Sequence, residues 1–152
     1  QNLRTTKYSD STEIPGATKY NSEEEQLVRI HGLYYKWDAA IRGGASSEKN
    51  PSGVQGICPD GWHIPSDDEW KQLELYIGMR VPDTEKNGSR GELYEGVKVV
   101  DPVYFGLSNG NCTGLSILPS GWVNNNFEGQ EFGVKGFYLT ATEEDSRYFF
   151  IG

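Results

Sequence analysis

Two thiols and two imidazoles are the side chains whose chemistry is most restricted. Cys58 and Cys112 are the only cysteines, and His31 and His63 the only histidines. A disulfide between Cys58 and Cys112 would close a loop of about 55 residues and stabilise the fold by roughly 4 kcal/mol in the chain-entropy picture. The competing state is a pair of unbridged, buried thiols. Neither cysteine has a histidine or a basic residue beside it in sequence, so neither is expected to be a low-pKa nucleophile. A Ser-His-Asp site would have to use His31 or His63. Zinc is not expected, because the ligand types do not fall at metal-binding spacing. Carboxylates come in two runs, Asp67-Asp68-Glu69 and Glu143-Glu144-Asp145. A glycosidase needs two of them facing each other across a cleft. Helix capping for the first run and an exposed turn for the second are the preferred readings.

One stretch has the composition of a binding loop. Trp122-Val123 leads into Asn124-Asn125-Asn126-Phe127. Aromatics beside Asn, Gly and Ser make adaptable contact surfaces, and an indole suits stacking on a sugar ring. Trp122, Asn124, Asn125, Asn126 and Phe127 are therefore the candidate ligand-binding residues. The competing reading is a tight turn with Trp122 buried beneath it. Trp37, Trp62 and Trp70 sit in apolar patterns and are expected in the core.

The elements that must position these residues belong to one domain. A chain of 152 residues can bury a sizeable core without disulfides or metal. The formal net charge of −8 makes nucleic acid and anionic membrane surfaces poor partners. No apolar run approaches the length of a membrane span. Gln1 does not open a signal peptide, so the chain is expected to be mature or part of something longer. Hydrophobic residues are only 36 %, but 12 % aromatics supply bulk to the core. Gly 19 and Pro 7 imply many turns and exclude coiled coils and helical bundles.

Ser22 and Glu25 read as a capping box for a helix ending near Gly32. Leu33-Tyr34-Tyr35 is β-like, residues 37–41 suggest a short helical piece, and residues 43–56 an exposed loop. Ser66 and Glu69 form a second capping box. It opens a helix from Ser66 to about Ile77, with Trp70, Leu73, Tyr76 and Ile77 as its apolar stripe. Residues 82–91 read as a polar loop, and Glu92 to Val97 as a short helix. Strands are expected at residues 115–118, 120–123, 127–132, 137–142 and 148–151. Helices early and strands late argue α+β rather than alternating βαβ.

Residues 56–70, GICPDGWHIPSDDEW, carry a specific resemblance. With Asn2 to Tyr8, Gly32 to Ala40 and Thr113 to Gly121, they resemble, in order, the motifs of the Fibrobacter succinogenes major paralogous domain. That family comprises exported bacterial proteins common in Bacteroidetes. The resemblance implies a C-type-lectin-like fold with two helices, a twisted antiparallel sheet and long loops. It implies a packing and hydrogen-bonding role for His63. The family often pairs its first cysteine with one in a closing strand, and strand segments of the pattern at both ends have no counterpart here. The late motif, usually Trp-Ser-Ser-Thr, reads Tyr138-Leu139-Thr140-Ala141-Thr142. Asp10-Ser11-Thr12 resembles a Bacteroidetes O-glycosylation sequon, which makes Ser11 a candidate. Lectin-like folds often bind calcium through loop oxygens, but the Glu-Pro-Asn and Trp-Asn-Asp patterns of sugar-binding members are absent.

The function these features imply is a non-enzymatic, exported, cell-surface recognition module that binds a glycan or a protein. The main rival is a surface-assembly or pilus-type subunit, its sheet completed by a strand-donating chain or by self-association near residues 137–151. A third reading, an oxidase of the formylglycine-generating type, would need a reactive cysteine pair near the C-terminus, and none is there.

Overall fold

In the computed structural model the described residues are 3–17, 28–29, 31–76, 79–86, 120–124, 129–130, 136–144 and 147–148. Of the helix expected after Ser22, residues 28, 29 and 31 are described and helical, and Gly32 N–H closes the last turn on the Val28 carbonyl at 3.0 Å. The capping pair Ser22 and Glu25, the helix expected at 92–97, the strand expected at 115–118, and Ile77 lie outside the described residues.

After that turn, three helices have both ends among the described residues. α1 is Trp37–Ala40, α2 is Asp67–Tyr76 and α3 is Val81–Thr84. Two antiparallel pairs follow. β1 (Trp122–Val123) pairs with β2 (Gly129–Gln130), Trp122 opposite Gln130 and Val123 opposite Gly129. β3 (Glu143–Glu144) pairs with β4 (Arg147–Tyr148), Glu143 opposite Tyr148.

The core is assembled from segments far apart in sequence. Tyr8 and Ile14 come from an N-terminal turn, and Trp37, Ala39, Ala40 and Ile41 from α1 and its end. Ile57, Ile64 and Ala141 complete the cluster. Each of the four buried isoleucines contributes roughly 2–3 kcal/mol of burial. Few strand ladders occur among the described residues, and side chains and single backbone bonds satisfy buried polar groups there. Tyr8 OH donates to the Ala39 carbonyl at 2.8 Å, and Trp37 Nε1–H to the Thr140 carbonyl at 2.8 Å. Ile57 N–H donates to the Ala40 carbonyl at 2.9 Å.

Several expectations change. Residues 137–142 are not a ladder strand. They are wedged between two separate segments: Ala141 N–H reaches the Pro65 carbonyl at 2.8 Å, and the Ala141 carbonyl accepts from Ser47 N–H at 2.9 Å. Their backbone bonds are thus spread over several neighbours instead of one strand. Leu33 to Tyr35 makes a single bridge at Tyr34, and Leu33 N–H donates to the Leu3 carbonyl at 2.9 Å. The 43–56 loop is only partly exposed. Ser52 is buried, its hydroxyl donating to the Ile64 carbonyl. The 82–91 loop begins inside α3, where Pro82 occupies the first turn, a position that needs no N–H. Glu143 and Glu144 are strand residues, not a turn.

Trp62 is the largest correction. It is 72 % exposed, whereas Trp37 and Trp70 are buried. Ile57 and Ile64 both enter the core, and the residues between them loop outward. Tyr76 is also exposed, at 86 %. The inward face of α2 is Asp67, Trp70 and Glu74, and at 100° per residue Tyr76 falls about 200° away from Glu74.

Gly56 has φ +53°, and a Cβ there would stand 2.0 Å from the Ala40 carbonyl oxygen and 2.7 Å from Ile64 Cδ1. Gly56→Ala should therefore cost roughly 2–5 kcal/mol through backbone strain plus overpacking, read as a lowered midpoint in urea unfolding. An unchanged midpoint would contradict this packing.

Candidate functional site

The Ser66-Asp67-Asp68-Glu69 run forms a reciprocal cap on α2. Glu69 N–H donates to Ser66 Oγ at 3.2 Å, and Ser66 N–H donates to Glu69 Oε2 at 3.0 Å. The same Oε2 accepts from Ser52 N–H at 3.0 Å. Glu69 Oε1 lies 2.7 Å from His63 Nε2. A carboxylate only accepts, so His63 carries its proton on Nε2. Burial works against ionising Glu69, but His63 and the two backbone N–H groups outweigh it and lower its pKa. Asp67 continues the join: its N–H donates to Thr142 Oγ1 at 2.9 Å, and Thr142 Oγ1 donates to the Ser47 carbonyl at 2.9 Å.

The other reactive groups sit apart from this cap. His31 Nδ1 is 3.3 Å from Ser120 Oγ, and Tyr34 OH donates to the Ser120 carbonyl. Burial lowers the His31 pKa. Ser120 is 4 % exposed, so its hydroxyl is closed to a substrate. Cys58 is a free, half-buried thiol packed on the core, and burial pushes its pKa up. Cys112, the other half of the expected bridge, lies outside the described residues. So does Gly106-Leu107-Ser108-Asn109-Gly110, which has the Gly-x-Ser-x-Gly spelling of a nucleophile elbow. Among the described residues no group of three or more His, Cys, Asp or Glu is gathered for a metal ion.

Sequence reasoning missed an open cleft of about 440 Å³ between the N-terminal turn and α1. Tyr8, Glu13, Gly16, Lys36, Asp38 and Arg42 line it. The Arg42 guanidinium lies 4.5 Å from the Tyr8 ring centroid and pairs with Asp10. Thr12 donates to Asp10 from its hydroxyl at 2.7 Å and its N–H at 3.1 Å. The Thr12 hydroxyl and Arg42 hold the Asp10 carboxyl well below the usual range. Ser11 is exposed beside this pair with φ +71°. These residues lie about 30 apart in sequence and share no motif, so no local pattern marks the cleft.

Two indoles face solvent, Trp62 from a turn and Trp122 from β1. Trp122 is 38 % exposed and stands edge-on to Phe137, centroids 6.4 Å apart at 63°. Asn124 beside it is half-buried. Asn125, Asn126 and Phe127 lie outside the described residues. Trp62 closes a turn in which its N–H donates to the Pro59 carbonyl at 3.0 Å and Gly61 has φ +82°. The Pro59-Asp60-Gly61 spelling was the available signal for a projecting residue at 62.

The cap makes two measurable claims. Ser66→Ala should cost about 1 kcal/mol in equilibrium unfolding. The Glu69 pKa is lower folded than unfolded, so its contribution is complete above the ordinary glutamate value of 4.5 and is lost as pH falls through the depressed folded value. Stability should fall with acid from about pH 4.5 downward, and Glu69→Gln should flatten that limb. An acid limb unchanged by Glu69→Gln would contradict the assignment.

The sequence model of one family, described as the Fibrobacter succinogenes major domain, matches residues 1–149. No curated protein and no solved structure matches the chain. The matched span contains the Glu69 cap, the Trp62 turn, the Tyr8–Arg42 cleft and both strand pairs. The chain belongs to the Fibrobacter succinogenes major domain family.

Proposed function

We propose that this chain is an exported, non-enzymatic recognition module of C-type-lectin-like fold, which binds a glycan or protein ligand at the bacterial surface through its loops. The observation that carries this reading is Trp122, a partly open indole on a strand pair whose ring is oriented by Phe137. An aromatic whose ring is oriented by an edge-on contact presents its exposed edge to a ligand at little entropic cost. Asn124, half-buried two residues on, brings a polar amide to the same end of β1. The imidazole of His63 is taken up by Glu69, and burial pushes the Cys58 thiol pKa up, away from a reactive thiolate. Both uses suit a scaffold better than turnover.

A second reading is a surface-assembly subunit completed by strand addition. It draws on β3–β4, which has no third strand beside it among the described residues. Such an edge offers backbone N–H and C=O groups to an incoming chain.

Glycan and surface-protein arrays probed with the labelled chain test the first reading. A specific ligand should bind, its binding should survive a chelator, and Trp122→Ala should weaken it by about 1–2 kcal/mol with the circular dichroism unchanged. The absence of any ligand together with a stable strand-exchanged complex would replace it with the second reading.

A further inference from the structure

We propose that the Pro59–Trp62 turn is a saccharide-binding point, at which the exposed indole of Trp62 stacks on a neutral sugar ring. The proposal rests on the recognition reading above and adds to it a second site and a ligand class. A large aromatic left 72 % in solvent is the informative departure in a protein whose other described indoles are far less exposed. The indole makes no hydrogen bond or ring contact among the described residues.

The turn that presents it is braced on all sides. Gln55 Nε2 donates to Asp60 Oδ1 at 2.9 Å, and lies 3.3 Å from both the Cys58 carbonyl and Ser9 Oγ. Cys58 N–H returns to the Gln55 carbonyl at 3.0 Å. Ile57 and Ile64 anchor the two ends in the core, and His63 is held by Glu69. A side chain on so fixed a turn loses little freedom when a ligand covers it.

The chemistry around the ring selects the ligand. The C–H face of a pyranose packs on an indole, while the indole N–H is free to donate to a hydroxyl. Asp60 uses Oδ1 for Gln55, which leaves its second carboxylate oxygen to accept from sugar hydroxyls. That carboxylate, on a chain of net charge −8, repels anionic glycans, so the sugar is neutral. A protein partner would want a broad apolar surround to the aromatic. Here the flanking residues are Pro59, Asp60, Gly61 and a half-buried His63.

The test is tryptophan fluorescence and saturation-transfer NMR on the full chain with gluco-, manno-, galacto- and xylo-oligosaccharides. At least one should bind, with saturation strongest at sugar ring C–H protons. Trp62→Ala should weaken it at least about tenfold, Trp62→Phe less, and Asp60→Ala measurably. Tyr76→Ala, at a still more exposed aromatic on α2, should leave binding unchanged and control for loss of a surface aromatic. Binding to none of the four series overturns the proposal, as does wild-type affinity in Trp62→Ala. If Trp62→Ala binds normally while Trp122→Ala does not, this site fails and the recognition reading stands. If neither glycan nor protein ligand binds in the arrays, both fail.

Discussion

The Glu69 carboxylate joins three stretches of chain that no strand pair among the described residues connects. Its two oxygens accept from the N–H of Ser52, the N–H of Ser66 and the imidazole of His63. The first belongs to the 43–56 loop, the second to the start of α2, and the third to the segment that leads out of the Trp62 turn. A charged acceptor makes each of these bonds stronger than a neutral one would be. Removing it would strand two N–H groups in partly buried positions, where an unmade bond is expensive. The arrangement of loops around α2 therefore depends on one side chain more than on any strand pair.

The same economy recurs through the molecule. Thr142 Oγ1 accepts from Asp67 and donates to Ser47, so one hydroxyl couples α2, the 137–142 segment and the 43–56 loop. Trp37 and Tyr8 each fill the core and close a distant backbone carbonyl with their polar tips. Lys71 bridges Asp67 and Glu85 and so ties α2 to the residue after α3. Loops held this way can carry exposed aromatics without collapsing onto them. That is the physical basis for reading Trp62 and Trp122 as presented rather than misplaced.

Local chemistry was legible in the sequence where a single motif decides it. The Ser66–Glu69 cap follows from spacing and capping residues alone, and the helical piece suggested at residues 37–41 is found at 37–40, where no side chain caps it. Trp62 was misread because an apolar pattern was weighed above the Pro59-Asp60-Gly61 turn before it. Tyr76 was misread because the stripe was drawn from apolar residues, whereas the helix turns Glu74, a carboxylate, fully inward. The wedged path of residues 137–142 and the Tyr8–Arg42 cleft were not legible at all. Both are made by residues distant in sequence, and no local propensity encodes which loops meet.

Amide hydrogen exchange, followed residue by residue in the wild type and in Glu69→Ala, tests the central dependence on Glu69 most directly. The Ser52 and Ser66 amides should be protected in the wild type and lose protection together in the variant, with exchange rising at the Trp62 turn while the amides of Ile57 and Ala141 stay protected. Loss confined to Ser66, with Ser52 and the Trp62 turn unchanged, would reduce Glu69 to an ordinary helix cap and contradict the account.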